Sequence, residues 1–191
     1  MDRALDHAGA APRRSIGGDK QMVAVLLGGF VLLMVAMLAA YASGVRYNGS
    51  PSYPMGFYLL KGLDRTPELG ALMFACPPDT EAFREARRRH YIGRGTCPAG
   101  YTPIIKKVAA IPGDLVEVGS AVSVNSVMQR NTDLAATDVQ GRPLKPYQGG
   151  VIAPNHYLLL SDFYAGSFDS RYFGPLHRRQ IIGNAKPVLT W

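Results

Sequence analysis

The sequence has few of the residues that build metal sites and catalytic triads. It contains two cysteines and four histidines among 191 residues. The cysteines form no Cys-x-x-Cys pair and the histidines are scattered, so we expect no metal and no cofactor. No Gly-x-Ser-x-Gly elbow is present, which argues against a Ser-His-Asp hydrolase built on His156 or His177. Asp162 and Asp169 lack the sequence context of a glycosidase or an aspartic protease.

Signatures of nucleic-acid binding are also missing, although the chain is basic. The formal net charge is +7. Much of it comes from two arginine clusters: Arg84, Arg87, Arg88, Arg89, Arg178 and Arg179. No helix-turn-helix, zinc finger or RNA-binding motif accompanies them, so we interpret the charge as a solvated basic face and expect no nucleic-acid partner.

Charge is absent from one long stretch near the N-terminus. The 25 residues between Lys20 and Arg46 carry no charged side chain. As a helix at about 1.5 Å per residue they would extend roughly 37 Å, enough to cross a hydrocarbon core of about 30 Å. Four basic residues precede the stretch, at positions 3, 13, 14 and 20. By the positive-inside rule, the N-terminus is expected in the cytoplasm.

This topology predicts three regions. Residues 1–20 form a cytoplasmic tail, residues 21–43 a transmembrane anchor in the inner membrane, and residues 44–191 an exported, periplasmic domain. A cleaved signal peptide is the alternative, because the sequence Ala-Tyr-Ala-Ser at 40–43 offers small residues at its end. The apolar run exceeds the roughly 7–15 residues of a signal peptide's apolar region, which favours an uncleaved anchor.

The two cysteines, Cys76 and Cys97, both fall in the domain predicted to be exported. In an oxidising compartment they are expected to pair. The disulfide would close a loop of about 20 residues and stabilise the fold by about 3 kcal/mol in the chain-entropy model.

The sequence of the region predicted to be exported indicates a mostly β fold. Gly 21 and Pro 14 make the chain rich in turns. Strands are predicted within residues 70–78, 121–129, 156–162 and 181–191, and two more within 104–118 around Pro112-Gly113-Asp114. One short surface helix is predicted over residues 79–91, with Asp79 or Thr80 as its N-cap.

Two adjacent lysines lie within one of these strands. Lys106 and Lys107 are flanked by Ile104, Ile105 and Val108. Because side chains alternate along a strand, one lysine should face the core and the other the solvent. A lysine in an apolar site has a lowered pKa and can act as a general base near neutral pH. The alternative is an edge strand on which both lysines reach water.

Three motifs, taken together, resemble a known family. They are Ser-Pro-Ser-Tyr-Pro-Met-Gly at 50–56, Ile-Ile-Lys-Lys-Val-Ala-Ala-Ile-Pro-Gly-Asp at 104–114 and Gly-Ser-Phe-Asp-Ser-Arg-Tyr-Phe-Gly at 166–174. In this order, after one apolar span, they are similar to the conserved boxes of type I signal peptidases, which are Ser-Lys proteases. The Ser-x-Pro-x-Gly-x-Tyr pattern over 52–58 resembles the TraF-type conjugative-transfer branch. The resemblance covers residues 47–191 and implies a coiled antiparallel β-sheet domain behind one transmembrane helix.

The resemblance also implies roles for individual residues. Ser52 corresponds to the nucleophile, and Ser50 to the residue whose hydroxyl joins the oxyanion hole. Lys106, seven residues before Gly113, corresponds to the general base. Ser167 would orient the amine of that base.

A supporting ion pair is implied beside these residues. Asp169 and Arg171 correspond to its members, and Lys107 stands where the family often has arginine and would pair with a carboxylate. Substituting lysine for arginine keeps the charge but loses the bidentate fork. The segment before Ser167 departs from the longer polar lead-in that is frequent in the family.

The resemblance implies a membrane-anchored serine endopeptidase that processes exported precursors. Its client would be the pilin precursor of a conjugative transfer system, and in this branch cyclisation of the pilin can accompany cleavage. Expected partners are the precursor, inner-membrane lipid and the transfer machinery. Two alternatives stay open: a general-secretion signal peptidase, and a non-catalytic membrane-anchored assembly adaptor.

Overall fold

A computed structural model describes residues 16–63 and 66–191 of the chain. The chain divides into two compact units, one ending at Ser43 and the other comprising Gly44–Trp191. Most of the predicted cytoplasmic tail, residues 1–15, lies outside the described residues.

The first unit contains one helix, α1, over Ile16–Ala42. It begins before the predicted anchor, so residues 16–20, which were predicted as part of the cytoplasmic tail, are helical. The segment Lys20–Ala42 has a mean hydropathy of 2.7, and none of its most apolar window is buried. Apolar side chains occur all around the helix, as in a helix that faces lipid. By length and composition it can cross a membrane.

The second unit consists of antiparallel strands with short helices between them. The strands are β1 Val45–Asn48, β2 Gly56–Lys61, β3 Leu72–Ala75, β4 Ile104–Ala110, β5 Leu115–Val118, β6 Val122–Val124, β7 Val127–Met128, β8 Gly150–Val151, β9 His156–Leu160, β10 Leu176–His177 and β11 Ile181–Thr190. The α-helices are α2 Glu81–Arg88 and α3 Ser170–Phe173, and a 3₁₀ turn follows at Arg178–Gln180. The predicted mostly β fold with one N-terminal apolar helix is confirmed.

The strands form two sheets. The larger has seven strands in the order β1-β2-β11-β3-β4-β9-β10, and the smaller has four in the order β7-β6-β5-β8. Strand β4 therefore lies inside the larger sheet, between β3 and β9. Its residue Lys106 pairs with Met73 of β3, and Lys107 pairs with Leu160 of β9.

Apolar side chains pack into three buried clusters. One joins β3, α2, β4 and β9 around Met73 and Phe83. The second includes Val116 of β5 and Leu158 of β9, and so links the two sheets. The third packs Tyr58 of β2 against Ile105 and contains Tyr53, which follows Ser52. The loop that carries Ser52 is therefore attached directly to the core through Tyr53.

The predicted disulfide between Cys76 and Cys97 is present, with 5.4 Å between the Cα atoms. It joins the end of β3 to the loop that follows α2. Its 21-residue separation encloses the whole of α2.

Two parts of the strand prediction were wrong. Residues 121–129 form a hairpin, β6–β7, because Asn125 and Ser126 both adopt positive φ (48° and 67°) and turn the chain back. Strands β1 and β2, which flank the serine motif, were not predicted. They pair with each other from Val45 opposite Leu59 to Asn48 opposite Gly56.

Gly56 is the last residue of the serine motif, and steric contacts require glycine at this position. Its φ is +136°, and a Cβ at this position would lie 2.2 Å from the carbonyl oxygen of Leu189. A larger residue would therefore push β2 away from β11.

Candidate active site

The loop that carries Ser52 is shaped by the side chain of Asn48. The Asn48 amide donates to the carbonyl oxygens of Ser50, Tyr53 and Pro54, at 3.0, 3.1 and 3.1 Å. Its side-chain oxygen accepts the N–H of Ser50 at 3.1 Å. Because Asn48 is the last residue of β1, these bonds anchor the loop to the sheet.

Ser52 lies in a small cluster of hydroxyl groups. Its side-chain oxygen is 3.1 Å from Oγ of Ser50 and 3.2 Å from Oγ of Ser167, which is 115 residues further along the chain. Its backbone N–H donates to Oγ of Ser50 at 3.3 Å. The structure thus brings together the predicted nucleophile, oxyanion-hole residue and orienting serine. A bound oxyanion would replace Oγ of Ser50 as the acceptor for the Ser52 N–H.

Lys106 is buried in the larger sheet, with 3% of its surface exposed. Burial lowers the pKa of its amine to about 8, with Asp169 raising the pKa and Arg171 lowering it. At such a pKa a useful fraction of the amine is neutral near pH 7.

In this structure the Lys106 amine donates to the carbonyl of Ile105, at 3.1 Å. Within residues 16–63 and 66–191 it makes no hydrogen bond to Ser52. Catalytic hydrogen bonds are often formed only in the substrate complex, so the predicted base stays a prediction. The neighbouring lysine differs: the side chain of Lys107 is 39% exposed.

Asp169 and Arg171 form a fully buried ion pair. Nε and Nη2 of Arg171 donate to the two carboxylate oxygens of Asp169, both at 2.9 Å. Nη2 of Arg171 also donates to the carbonyl of Ser167 at 2.9 Å. Since Asp169 additionally caps α3, the pair fixes the backbone that presents Ser167.

Lys107 pairs with Asp162, with Nζ 2.7 Å from Oδ2. The other carboxylate oxygen accepts the hydroxyl of Tyr53 at 2.7 Å. Burial by itself would raise the pKa of Asp162, but the hydrogen bonds from Lys107 and Tyr53 outweigh this effect and lower the pKa. Burial and the bond to Asp162 raise the pKa of Tyr53, so this phenol stays protonated. These contacts hold the residue directly after Ser52.

Ser161 is a site residue that the sequence did not reveal. It is fully buried, and its hydroxyl donates to the carbonyl oxygen of Ser52 at 2.6 Å. Its backbone N–H donates to Asp169 at 3.0 Å. Ser161 therefore links Ser52 to the buried ion pair. A lone serine at the end of a strand gives no sequence signal for such a contact.

Asn48 was also missed, although a signal existed. An Asn followed two residues later by a serine in a Gly- and Pro-rich segment is typical of an Asx turn. Tyr53 and Asp162 were not assigned to the site, because their 109-residue separation hides the contact.

Histidine and metal chemistry find no support among the described residues. His156 and His177 contact each other, with ring centroids 5.1 Å apart, and neither is hydrogen-bonded to Ser52. Within residues 16–63 and 66–191, no group of three or more potential metal ligands is found.

Comparison with protein families matches most of the chain to a known family. The model of the signal peptidase family, peptidase S26, matches residues 19–191. The match covers all but the first three residues of α1 and the entire β unit.

Similar curated proteins carry names from conjugation. A probable conjugal transfer protein TraF from Sinorhizobium fredii is 44% identical over 170 residues, covering 87% of this chain and 90% of that protein. A conjugal transfer protein TraF from Agrobacterium tumefaciens is 41% identical, covering 87% and 94%. A plasmid transfer protein TraF from Escherichia coli is 40% identical, with the same coverage.

Among solved structures, a signal peptidase I from Enterococcus faecalis is similar to this chain. The two are 17% identical with a TM-score of 0.38, covering 63% of this chain and 97% of the other.

Proposed function

The chain belongs to the signal peptidase family, peptidase S26, and from this membership we propose that it is a membrane-anchored serine endopeptidase. Ser52 is the proposed nucleophile and Lys106 the general base. The precursor protein that it cleaves reaches it from the membrane.

One observation carries the proposal: a network of charges and hydrogen bonds connects a buried lysine, whose pKa is lowered to about 8, to the hydroxyl cluster around Ser52. The network runs from Lys106 through the charges of Asp169 and Arg171 to Ser167, and from there to Ser52. An adaptor without catalysis has no need of an uncompensated amine in its core, because burying a charge is costly.

Neutral Lys106 accepts the proton of the Ser52 hydroxyl as its oxygen attacks the substrate carbonyl. Reaching Ser52 requires the amine to leave the carbonyl of Ile105, and Ser167 is the residue proposed to guide it. The protonated amine then gives its proton to the departing nitrogen, and an ester to Ser52 remains. Water, or an amine, attacks this ester and releases the enzyme.

The negative charge of the tetrahedral intermediate needs fixed donors. The N–H of Ser52 and the hydroxyl of Ser50 are the proposed pair. In the free protein the N–H of Ser52 donates to Oγ of Ser50, and the hydroxyl of Ser50 donates to Oγ of Ser52. Donors already in position stabilise the developing charge without further reorganisation.

We propose that the client is a pilin precursor of a conjugative transfer system. The names of the relatives support a role in conjugative transfer, and the pilin precursor is the client proposed within that role. The apolar α1 and the basic residues before it support an inner-membrane location with the N-terminus in the cytoplasm and the β unit in the periplasm. Lipid and the transfer machinery are the further proposed partners, and cleavage with cyclisation is the proposed variant of the reaction.

The test is a processing assay in membranes. A candidate precursor is co-expressed with wild type, Ser52→Ala or Lys106→Met, and the product is followed by mass spectrometry. We expect processing only with wild type. The mass of the product separates cyclisation from hydrolysis by the mass of one water molecule.

Ser123→Ala is the matched control, since Ser123 lies in β6 and donates to Glu117 on the surface. It should process as wild type does. Full processing by Ser52→Ala would exclude the proposed nucleophile. Rescue of a cell that lacks its general signal peptidase would favour the general-secretion alternative.

A further inference from the structure

A cavity of about 290 Å³ opens beside the hydroxyl cluster. Ser50, Ser52 and Ser167 line one end of it. Its volume is near the lower limit of ligand pockets, which measure about 300–1,000 Å³. It has room for one large side chain next to the proposed nucleophile.

Four aromatic side chains are among the described residues that line the cavity. Phe168 and Tyr172 lie in it with stacked rings, 5.8 Å between centroids and 3° between planes. Tyr91 contacts Phe168 at 5.2 Å, and Tyr164 closes another side. Such a lining favours an apolar or aromatic side chain.

The charge in the lining is already compensated. Among the described lining residues, Asp138 is the one with a carboxylate, and it accepts from Nε of Arg142 at 2.6 Å and from the hydroxyl of Tyr91. Burial by itself would raise the pKa of Asp138, but these hydrogen bonds keep the pKa below its ordinary value. Because this carboxylate is already paired, the cavity offers no free negative charge to attract a cationic side chain.

The position of the cavity distinguishes the two sides of the scissile bond. Strand β1 is at the edge of the larger sheet and leads directly into the serine loop. An extended substrate can add to such an edge as a further strand. None of the described residues that line the cavity comes from β1. A substrate that follows β1 up to Ser52 therefore passes into the cavity with its next residue.

Proton transfer points to the same side. The proposed base must return its proton to the departing nitrogen, and Ser167 is the residue proposed to guide the amine. Ser167 lines the cavity together with Ser52. The departing nitrogen is then on the cavity side.

We propose that this cavity binds the side chain of the first residue after the cleaved bond, and that it selects a bulky apolar or aromatic one. The inference rests on the proposed function of Ser52. It adds to that function a preference for the residue that follows the cleaved bond.

The same selection then applies to an amine that attacks the acyl-enzyme. The amine nitrogen forms a new bond to the acyl carbon, and the ester bond to Ser52 breaks. Lys106 takes a proton from the amine, and the oxygen of Ser52 regains one. An amine with an apolar side chain that fits the cavity should compete better with water than a small amine.

Ala135 offers a way to fill the cavity without touching the catalytic groups. It lines the cavity, and its N–H donates to the hydroxyl of Tyr172, a bond that a substitution leaves in place. Ala135→Phe is the filling variant. Ala136→Phe is its matched control, because Ala136 is exposed and is not among the lining residues. Tyr164→Ala enlarges the cavity and serves as a second variant.

The experiment uses the full-length protein in detergent micelles and a peptide library from a digested bacterial proteome. Mass spectrometry gives the residues on both sides of each bond whose cleavage requires Ser52. We expect phenylalanine or leucine to exceed glycine after the cleaved bond by about tenfold in wild type and Ala136→Phe. Ala135→Phe should remove this preference, and Tyr164→Ala should shift it towards larger residues.

A second readout uses added amines. With wild type, phenylalaninamide should capture the acyl group about tenfold better than glycinamide, and Ala135→Phe should abolish the difference. Ser52-dependent cleavage with no preference after the bond, or a change confined to residues before it, would overturn the inference and leave the proposed function standing. Absence of any Ser52-dependent cleavage would overturn both.

Discussion

At the scale of single residues, burial separates two adjacent lysines. Lys106 has its amine inside the larger sheet and a pKa of about 8, whereas Lys107 reaches a half-exposed carboxylate, Asp162. An exposed ion pair contributes little free energy, so Lys107→Met should reduce activity mildly. The buried amine is the one whose environment changes its chemistry.

Lys106→Met should abolish processing and at the same time stabilise the fold at pH 7. The folded-state pKa is lowered from 10.5 to about 8, so the unfolded chain binds the proton more tightly. Wild type is therefore penalised below about pH 8 and regains stability as the pH rises towards 10.5. Methionine, of similar length, carries no such penalty.

The measurement is thermal unfolding of both proteins across this pH range. The midpoint of Lys106→Met should be several degrees above that of wild type at pH 7, and the difference should shrink as the pH rises. A difference that grows with pH would show that the Lys106 pKa is not lowered.

Ser161→Ala should lower the rate of the chemical step more than substrate binding. The lost hydroxyl fixes the carbonyl of Ser52, and through it the N–H proposed for the oxyanion hole. We expect kcat to fall about 10–100-fold with KM nearly unchanged, and stability to fall by about 1–2 kcal/mol. Steady-state kinetics on a cleaved peptide provide the measurement. An increase in KM with unchanged kcat would place Ser161 in substrate binding instead.

Where a motif fixes the spacing, the sequence indicated residues that lie together in the structure. Ser50, Ser52 and Ser167 were proposed from the motifs, and their hydroxyls form one cluster in the structure. Ser161 and the contact of Tyr53 with Asp162 could not be predicted, because they depend on which strands become neighbours. No local pattern records a contact across 109 residues.

At the scale of elements, the disulfide and the buried ion pair stabilise different segments. Cys76 and Cys97 enclose α2, while Arg171 also donates to the carbonyls of Asp133 and Ala165 at 2.9 Å and so ties two loops to α3. The loops that surround the site therefore depend on fixed points outside it.

Replacing both Cys76 and Cys97 by serine should destabilise the protein without removing activity at low temperature. A closed loop of this length contributes about 3 kcal/mol, which corresponds to a fall in Tm of roughly 6–12 °C. Thermal unfolding of the variant and of reduced wild type should give the same midpoint. If the variant is as stable as oxidised wild type, the disulfide does not stabilise the native fold.

Element prediction succeeded for strands with strong apolar patterns and failed for the short ones. Strands β3, β4, β9 and β11 lie within the predicted segments. Strands β1 and β2 flank a Ser- and Pro-rich turn that looks like a loop. The β6–β7 hairpin was not predicted, although the two consecutive polar residues Asn125 and Ser126 interrupt the apolar alternation in the sequence.

At the scale of the whole molecule, the chain is an apolar helix joined to a β unit that has its own core. The boundary between the helix and the β unit follows Ser43, and it lies fewer than ten residues before Ser52, the proposed nucleophile. An anchor so close along the chain would keep the proposed enzyme near substrates at a membrane surface.

A chain that begins at Gly44 should fold and cleave short peptides with the same dependence on Ser52. It should process a membrane-inserted precursor at least about tenfold more slowly, because the anchor no longer concentrates enzyme and substrate in one layer. Comparing both chains on a peptide and on a precursor in vesicles gives the measurement. Equal rates on the precursor would mean that the anchor has no role in substrate encounter.

The central claim is that Ser52 is acylated with neutral Lys106 as the base, and rapid-quench mass spectrometry of the intact protein tests it most directly. The rate at which a peptide substrate acylates Ser52 should rise with pH and level off above about 8, following the lowered pKa of Lys106. Lys106→Met and Ser52→Ala should show no acyl adduct at any pH. Acylation of Ser52 in Lys106→Met at the wild-type rate would contradict the account.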